Sequence, residues 1–440
     1  MQAIIAYTII ALTALCIVYL YKKPQLSLGL VFGMYAAEQI LIGNVSFFLR
    51  NPQLYNYLIG AISVLAIIYS VIRSGMPRII VSNFVIFFLL FMFSWMSIVW
   101  TSAPNSALSA LIHFSFEGLL GFVLPLFVIR KIKDFNLVVI VIAVYGVLVT
   151  TSLLLFPIAG VGGRVLLVEG GTVLSPANMM GAAMIFIAAV EERQFGPLIR
   201  IKFYLLLYFA LGLFLTGART QFFVGVFLSV VILLSDKAPI KMLTKVTIGL
   251  LFISVLIGIV FPDFIDQHLA SAYVRYSSTS EFTDGYEFRL QSIIECFTLD
   301  SPIIGHGLMG WAHMKFGEDV YMYPHNSIAQ VYYELGVVGM VLFVLIVFKS
   351  YKMGYLSYIN NTDNGANKKI ILSFVSYLTF SFLMSLKQGT FLSATGIYIA
   401  FGCISVLYLS EFNKKKSNDN FEPEFKTENN KSQARFPVLR

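Results

Sequence analysis

A chain of 440 residues that is 58% hydrophobic and only 12% charged carries about half the charged share of a soluble domain. That composition excludes a soluble globular protein and points to a chain that crosses a bilayer many times. The formal net charge of +8 invites a nucleic-acid reading, but the placement of the bases, set out below, makes it a topology signal, and no nucleic-acid partner is expected.

Crossing a hydrocarbon layer of about 30 Å takes about 20 apolar residues as a helix. Stretches of that kind are predicted near 2–20, 26–48, 54–72, 79–100, 107–129, 135–157, 173–190, 199–215, 220–234, 243–262, 326–348, 370–386 and 390–409. The second, with Glu38 and Asn44, and the short ninth carry the weakest signal. The expected fold is therefore an all-α polytopic membrane protein of about 12–13 transmembrane helices. Helices are the expected form because backbone polar groups in lipid must be satisfied within the segment, and the runs are too long and uniformly apolar for barrel strands.

The first run has no basic residue before it and Lys22-Lys23 after it, so it reads as an anchor with its N-terminus outside, not as a cleavable signal. With that orientation, 24 of the 31 Lys and Arg residues fall on the cytoplasmic side, including Lys414-Lys415-Lys416. Only Arg50, Arg164, Arg219, Arg275, Arg289, Lys315 and Lys387 remain outside. The asymmetry follows the positive-inside rule. Three domains are expected: a helical membrane domain over 1–410, an external loop over 263–325 inserted within it, and a disordered cytoplasmic tail over 411–440, rich in Asn, Lys, Ser and Glu.

The external loop holds nine acids against three bases and is long enough to contain short helices. Glu287–Leu299 is predicted as an amphipathic helix, with Leu290, Ile293, Ile294 and Phe297 on one face. The cysteines, Cys16, Cys296 and Cys403, form no disulfide framework. His306 and His313, seven apart, supply too few ligands for zinc, so no metal is expected. Within the spans, Glu38, His113 and Glu117 are ionisable groups where such groups are uncommon, and His113 and Glu117, four apart, can satisfy each other.

Pro324-His325-Asn326-Ser327 stands where the polar loop meets an apolar run, with Glu334-Leu335-Gly336 and Gly339 further along it. Together with two other patches it resembles the bacterial O-antigen ligase and polymerase superfamily, membrane enzymes that join lipid-linked glycans on the outer face of the inner membrane. His325-Asn326 followed after nine residues by Gly336-Val337-Val338-Gly339 is similar to the family's H-N-x9-G-x-x-G pattern. Arg289 followed by Pro302-Ile303-Ile304-Gly305-His306-Gly307 is similar to its arginine helix and Pro-x-x-Gly-x-Gly turn. Thr216-Gly217-Ala218-Arg219-Thr220 is similar to its external arginine turn, with Phe223 where leucine is customary.

The resemblance implies a metal-independent glycosyltransferase without a cofactor, in the inner membrane, with its site facing the periplasm and its tail in the cytoplasm. Its donor would be a glycan on a polyprenyl diphosphate, and its acceptor a repeat unit, as in a polymerase, or a lipid A core, as in a ligase. Phe223 leans the reading towards polymerase. A protein O-oligosaccharyltransferase is a further option, and a transporter of lipid-linked glycans is the rival of another class. A transporter would gather its polar groups at mid-membrane, whereas Arg219, Arg289 and His325 all fall at the external edge.

In the implied reaction His325 accepts the proton of the attacking sugar hydroxyl, and Arg219 and Arg289 hold the diphosphate. Supporting positions are Asn326, Glu334, Arg164 and Asn178, the last within Ser175-Pro176-Ala177-Asn178. Each has a structural alternative. Asn326 and Asn178 suit helix caps, Arg219 an interfacial anchor, Arg289 a salt bridge with Glu287 or Glu295, and Glu334 a pairing inside the bundle.

Overall fold

The computed structural model describes residues 2–77, 82–160, 164–191, 198–235, 280–298, 303–361 and 365–419. Within these, the N-terminal half forms α1 (Gln2–Tyr19), α2 (Leu26–Asn44), α3 (Leu54–Ser74), α4 (Ser82–Val99), α5 (Pro104–Val128) and α6 (Ile132–Leu155). A small antiparallel hairpin, β1 (Ile158–Gly160) and β2 (Arg164–Leu166), follows in the register Gly160 with Arg164 and Ile158 with Leu166. Then come α7 (Leu174–Ala188), α8 (Leu198–Leu215), α9 (Arg219–Leu234), α10 (Ser280–Thr298), α11 (Gly310–Phe316), α12 (Ser327–Asn360), α13 (Gly365–Gln388) and α14 (Thr395–Asp419).

Eight of these helices are long and apolar enough to cross a membrane, and shorter apolar helices at Leu174–Ala188, Ile201–Leu215, Arg219–Leu234 and Thr395–Ser410 accompany them among the described residues. This is the all-α polytopic architecture the hydropathy predicts; the predicted span at 243–262 lies outside the described residues. The second predicted span ends at Asn44, and Ser46–Arg50 forms a separate short helix. Helices α2, α6, α7 and α8 pack in series, while α14 packs against α5, α12 and α13. Glycines set the closest approaches: a Cβ on Gly33 would lie 2.5 Å from the Tyr145 ring, and one on Gly402 2.4 Å from the Phe122 carbonyl.

The eleventh predicted span needs correction. Helix α12 runs from Ser327 to Asn360 but breaks at Gly336, whose φ of 65° and ψ of −162° are not helical. Residues 337–360 alone reach about 36 Å at ~1.5 Å per residue, enough to cross the apolar layer. The stretch Ser327–Leu335 is therefore a half-helix set ahead of the crossing segment, and His325 stands before the half-helix. The C-terminal expectation changes as well. The predicted disordered tail begins at 411, yet α14 is helical through Asp419, because an existing helix extends at little cost through residues such as Glu and Lys. Residues 420–440 lie outside the described residues.

Candidate active site

Helix α10 carries Arg289 and is held to the half-helix of α12 by a small core of Cys296, Trp311, Ala312, Ala329 and Tyr333, with Ile293 and Val320 packed on it. Phe297 adds a stacked contact with Tyr332 at 5.2 Å. The buried face of α10 thus runs through Ser292, Ile293 and Cys296, one position away from the predicted stripe, and Leu290 and Ile294 stay 41% and 49% exposed. Arg289 lies four residues before Ile293 and seven before Cys296, so helical spacing puts it on the packed face at the end nearer His325. No carboxylate among the described residues pairs with it. Glu295, one of its expected partners, is engaged by Lys315 and Gln291 instead.

The segment after α10 closes the gap that the break in α12 opens. His306 N–H donates to the Tyr333 carbonyl at 3.0 Å, Gly307 N–H to the Glu334 carbonyl at 2.8 Å, and Val338 N–H to the Ile303 carbonyl at 3.3 Å. Backbone groups released from a helix next to lipid have to find partners in protein, and this turn supplies them. Gly305, at φ +74°, lies so close that a Cβ there would stand 2.3 Å from the Glu334 carbonyl oxygen and 2.4 Å from the Gly336 nitrogen. Gly307 does the same against Thr101, at 2.6 Å. Thr101 Oγ1 donates to the Leu308 carbonyl and Leu308 N–H to Ser97 Oγ, so the turn is wedged between α4 and α12. Further on, the Asp319 carboxylate accepts from the backbone N–H groups of Asn105 and Ser106, both at 2.9 Å. It caps the start of α5 from a distance of over 200 residues in sequence.

His325 emerges from this frame with a left-handed backbone, φ 58°, a conformation that His adopts more readily than most residues. Its ring meets Tyr323 edge-on at 4.8 Å, and Nδ1 has no hydrogen-bond partner among the described residues. Burial, reinforced by the Arg289 charge, holds the imidazole below its ordinary value. The same charge acts on Tyr323, where burial raises the phenol and Arg289 opposes that rise. Arg289 and His325 are therefore electrostatic neighbours, although 36 residues separate them.

Asn326 proves to be the cap its alternative reading describes. Its Oδ1 accepts from Ala329 N–H at 3.0 Å, and its Nδ2 donates to the Leu386 carbonyl at 2.9 Å, while Ser327 Oγ reaches the Ser385 carbonyl at 3.2 Å. These bonds clasp the start of α12 to the end of α13. One residue on, Lys387 Nζ donates to Thr220 Oγ1, which ties the first turn of α9, and with it half-buried Arg219, to the same place. Glu334 is fully buried, with Gln330 Nε2 donating to its Oε2 at 3.1 Å and the Phe391 N–H donating to Gln330, a pairing inside the bundle.

Arg164 stands exposed on the hairpin, and no contact among the described residues joins it to Arg219, Arg289 or His325. Asn178 instead lines a cavity of about 310 Å³ between α2, α5, α7, α13 and α14, whose wall includes Ser385 and Gln388. His306 and His313 line a second cavity of about 550 Å³, and His306 stacks on Tyr333 at 4.5 Å. No group of three or more His, Cys, Asp or Glu residues among the described residues could hold a metal ion. Sequence reasoning missed the docking role of Gly305 and Gly307 and the cap from Asp319. The glycine spacing around His306 was the available signal for the first; nothing local marks the second.

Comparison with known proteins adds an independent line. Residues 204–344 match the family model described as O-antigen ligase, an interval that contains Arg219, Arg289, His325, Asn326 and Glu334 and leaves out Arg164 and Asn178. A curated protein of Rickettsia conorii, named provisionally as a polysaccharide ligase, is 32% identical over 92 residues, covering 18% of this chain and 21% of the relative. The chain thus matches about a fifth of that relative's length. Over residues 204–344, the interval that encloses the three motifs, the chain is similar to the O-antigen ligase family.

Proposed function

We propose that this protein transfers a glycan from a polyprenyl diphosphate to a sugar hydroxyl at the outer face of the inner membrane, as a polymerase or ligase of surface polysaccharide. The observation that carries the reading is the placing of His325 next to Arg289: an imidazole that burial and a neighbouring guanidinium push below its ordinary value, beside a cation that no carboxylate among the described residues neutralises. A neutral imidazole is what a general base requires, and an arginine without an internal carboxylate is available for phosphate oxygens.

The acceptor oxygen attacks the anomeric carbon and its proton passes to His325. The bond between the anomeric carbon and the diphosphate oxygen breaks, and the diphosphate leaves against Arg289 and Arg219, which stabilise the charge that develops. One displacement inverts the anomeric centre. The description of the matching family and the name of the Rickettsia relative favour a ligase, whereas Phe223 was the sequence's lean towards a polymerase.

The test is transfer by purified protein from lipid-linked oligosaccharide to acceptor. His325→Ala and His325→Asn, the second chosen because Asn tolerates a left-handed backbone, should both lose transfer while keeping the fold. Unchanged product formation by either would refute the base assignment. Gel analysis of surface polysaccharide in cells lacking the protein separates the acceptors: single repeats mark a polymerase, an uncapped core a ligase.

A further inference from the structure

The cavity beside α13 contains a carboxylate that the proposed reaction does not use. Glu117 lies on a turn, Phe114–Leu119, that widens α5 to a π-helix, a local irregularity often found at functional sites. Its Oε1 faces His113 Nδ1 at 3.7 Å, and its Oε2 accepts from Thr395 Oγ1 at 3.2 Å. The Tyr35 side chain engages both Glu117 and Thr395. Glu117, Tyr35 and Thr395 line the 310 Å³ cavity, together with Asn178, Gln388, Ser393, Phe32 and Phe380. An ionisable side chain within a membrane span is costly and by default marks a ligand or an ion path.

We propose that this cavity holds a sugar of the glycan being transferred, with Glu117 accepting hydrogen bonds from its hydroxyls. The proposal rests on the glycosyl-transfer reading. Position supports it, because the cavity wall at Ser385–Gln388 is the stretch that the residues flanking His325 grip through Ser385 and Leu386. A glycan whose reacting unit sits beside His325 would extend its next unit towards this wall. Chemistry supports it too: a carboxylate, two phenols, two amides and several hydroxyls in one lining with the Phe32 and Phe380 rings match a sugar's hydroxyl and C–H faces, and a prenyl tail has no use for them. Glycan pockets of this kind combine apolar walls with a few placed polar groups. Glu117 is thereby a specificity-determining residue of the site.

The experiment uses Ser393→Cys in the full chain as a reporter, since the native Cys16, Cys296 and Cys403 are all buried and Ser393 is exposed on the cavity wall. Modification by a small methanethiosulfonate is timed with three probes: oligosaccharide released by mild acid from the lipid-linked pool of the source cells, glycan released from their surface acceptor, and undecaprenyl phosphate. Protection by the first is the expected result; protection by the second alone would place the acceptor in the cavity and overturn the proposal. Glu117→Gln, labelled at the unprotected rate when no probe is present, should then need roughly ten-fold more saccharide, the effect of removing a hydrogen bond to a charged group. Should Glu117→Gln not fold, Thr395→Val, which removes the hydroxyl that donates to the carboxylate, should shift the same titration. Protection by undecaprenyl phosphate alone, by no probe, or by saccharide with equal strength in the variants would overturn the proposal. Protection should persist in a His325→Ala background; continued transfer by that protein would refute the base assignment and leave the cavity result standing.

Discussion

Replacing Gly305 by Ala tests whether the broken helix and the turn that fills its gap hold the site together. At φ +74° any side chain is strained, by about 1–2 kcal/mol. The added Cβ would also lie 2.3 Å from one backbone atom of α12 and 2.4 Å from another, contacts that no side-chain rotation relieves. The turn must therefore retreat and give up the bonds from His306 to Tyr333 and from Gly307 to Glu334, each worth about 1 kcal/mol net. The total comes to about 3–4 kcal/mol. Gly170 is the control, since it has nearly the same φ, +71°, with nothing within 4 Å of its Cβ position, so Gly170→Ala carries the strain alone. Unfolding in lipid nanodiscs can be followed by tryptophan fluorescence, with buried Trp311 in the core that holds α10. Gly305→Ala should lower the midpoint by several degrees more than Gly170→Ala and should abolish transfer. Equal shifts in the two variants would refute the docking argument.

Other outcomes follow from individual contacts. His325→Asn should reduce transfer at least about 100-fold, the usual contribution of a general base, with an unchanged unfolding midpoint. If His325 is the base proposed above, its basic form is the active one, and transfer should fall as the pH drops through a point below the ordinary imidazole value. Arg289→Gln removes a charge that lowers that point and should move the acidic limb to higher pH, whereas Arg289→Lys should leave it in place while weakening diphosphate binding. Asn326→Ala should cost about 1 kcal/mol of stability through the lost cap, together with the tie to Leu386, and reduce transfer only as far as it loosens His325. Asp319→Ala should cost a similar amount by uncapping α5, read as faster proteolysis of the segment between α11 and α12.

Hydropathy made the helical architecture legible, because a bilayer imposes one length and one backbone solution on every crossing segment. It could not reveal the break at Gly336, since Ser327–Leu335 is apolar for a different reason: it packs on Trp311 and Cys296. Apolar burial in protein and in lipid look alike in a sequence. The face of α10 was misread by one position for a related reason. Cys296 and Ser292 are small enough to sit against α12, while bulkier Leu290 and Ile294 are left outward, and only the partner surface decides between them. Motif spacing pointed to residues that the structure brings together, since Arg289 acts on His325 and the turn at Gly305 docks on α12 through fixed backbone geometry. Asp319 and Glu117 were the opposite case, since what gives each its place is a contact with a segment over 200 residues away.

The position of Arg289 bears on how one site can hold an anion and keep a base. A diphosphate beside His325 would stabilise the imidazolium and so protonate the base before attack. Arg289 counters that from the start, because its charge already holds the imidazole down in the absence of substrate, and on binding it cancels part of the incoming negative charge. The capped N-terminus of the half-helix beginning at Ser327 adds a positive dipole end next to His325, acting in the same direction. When the acceptor proton has moved, the requirement reverses: the new imidazolium sits beside a departing anion, and their attraction favours the products. In the proposed reaction the arginine would do more than bind phosphate, for it would set the order in which the base is first neutral and then charged. For that reason the charge at position 289, more than the side-chain shape, should govern the pH dependence, and the comparison of Arg289→Lys with Arg289→Gln separates the two.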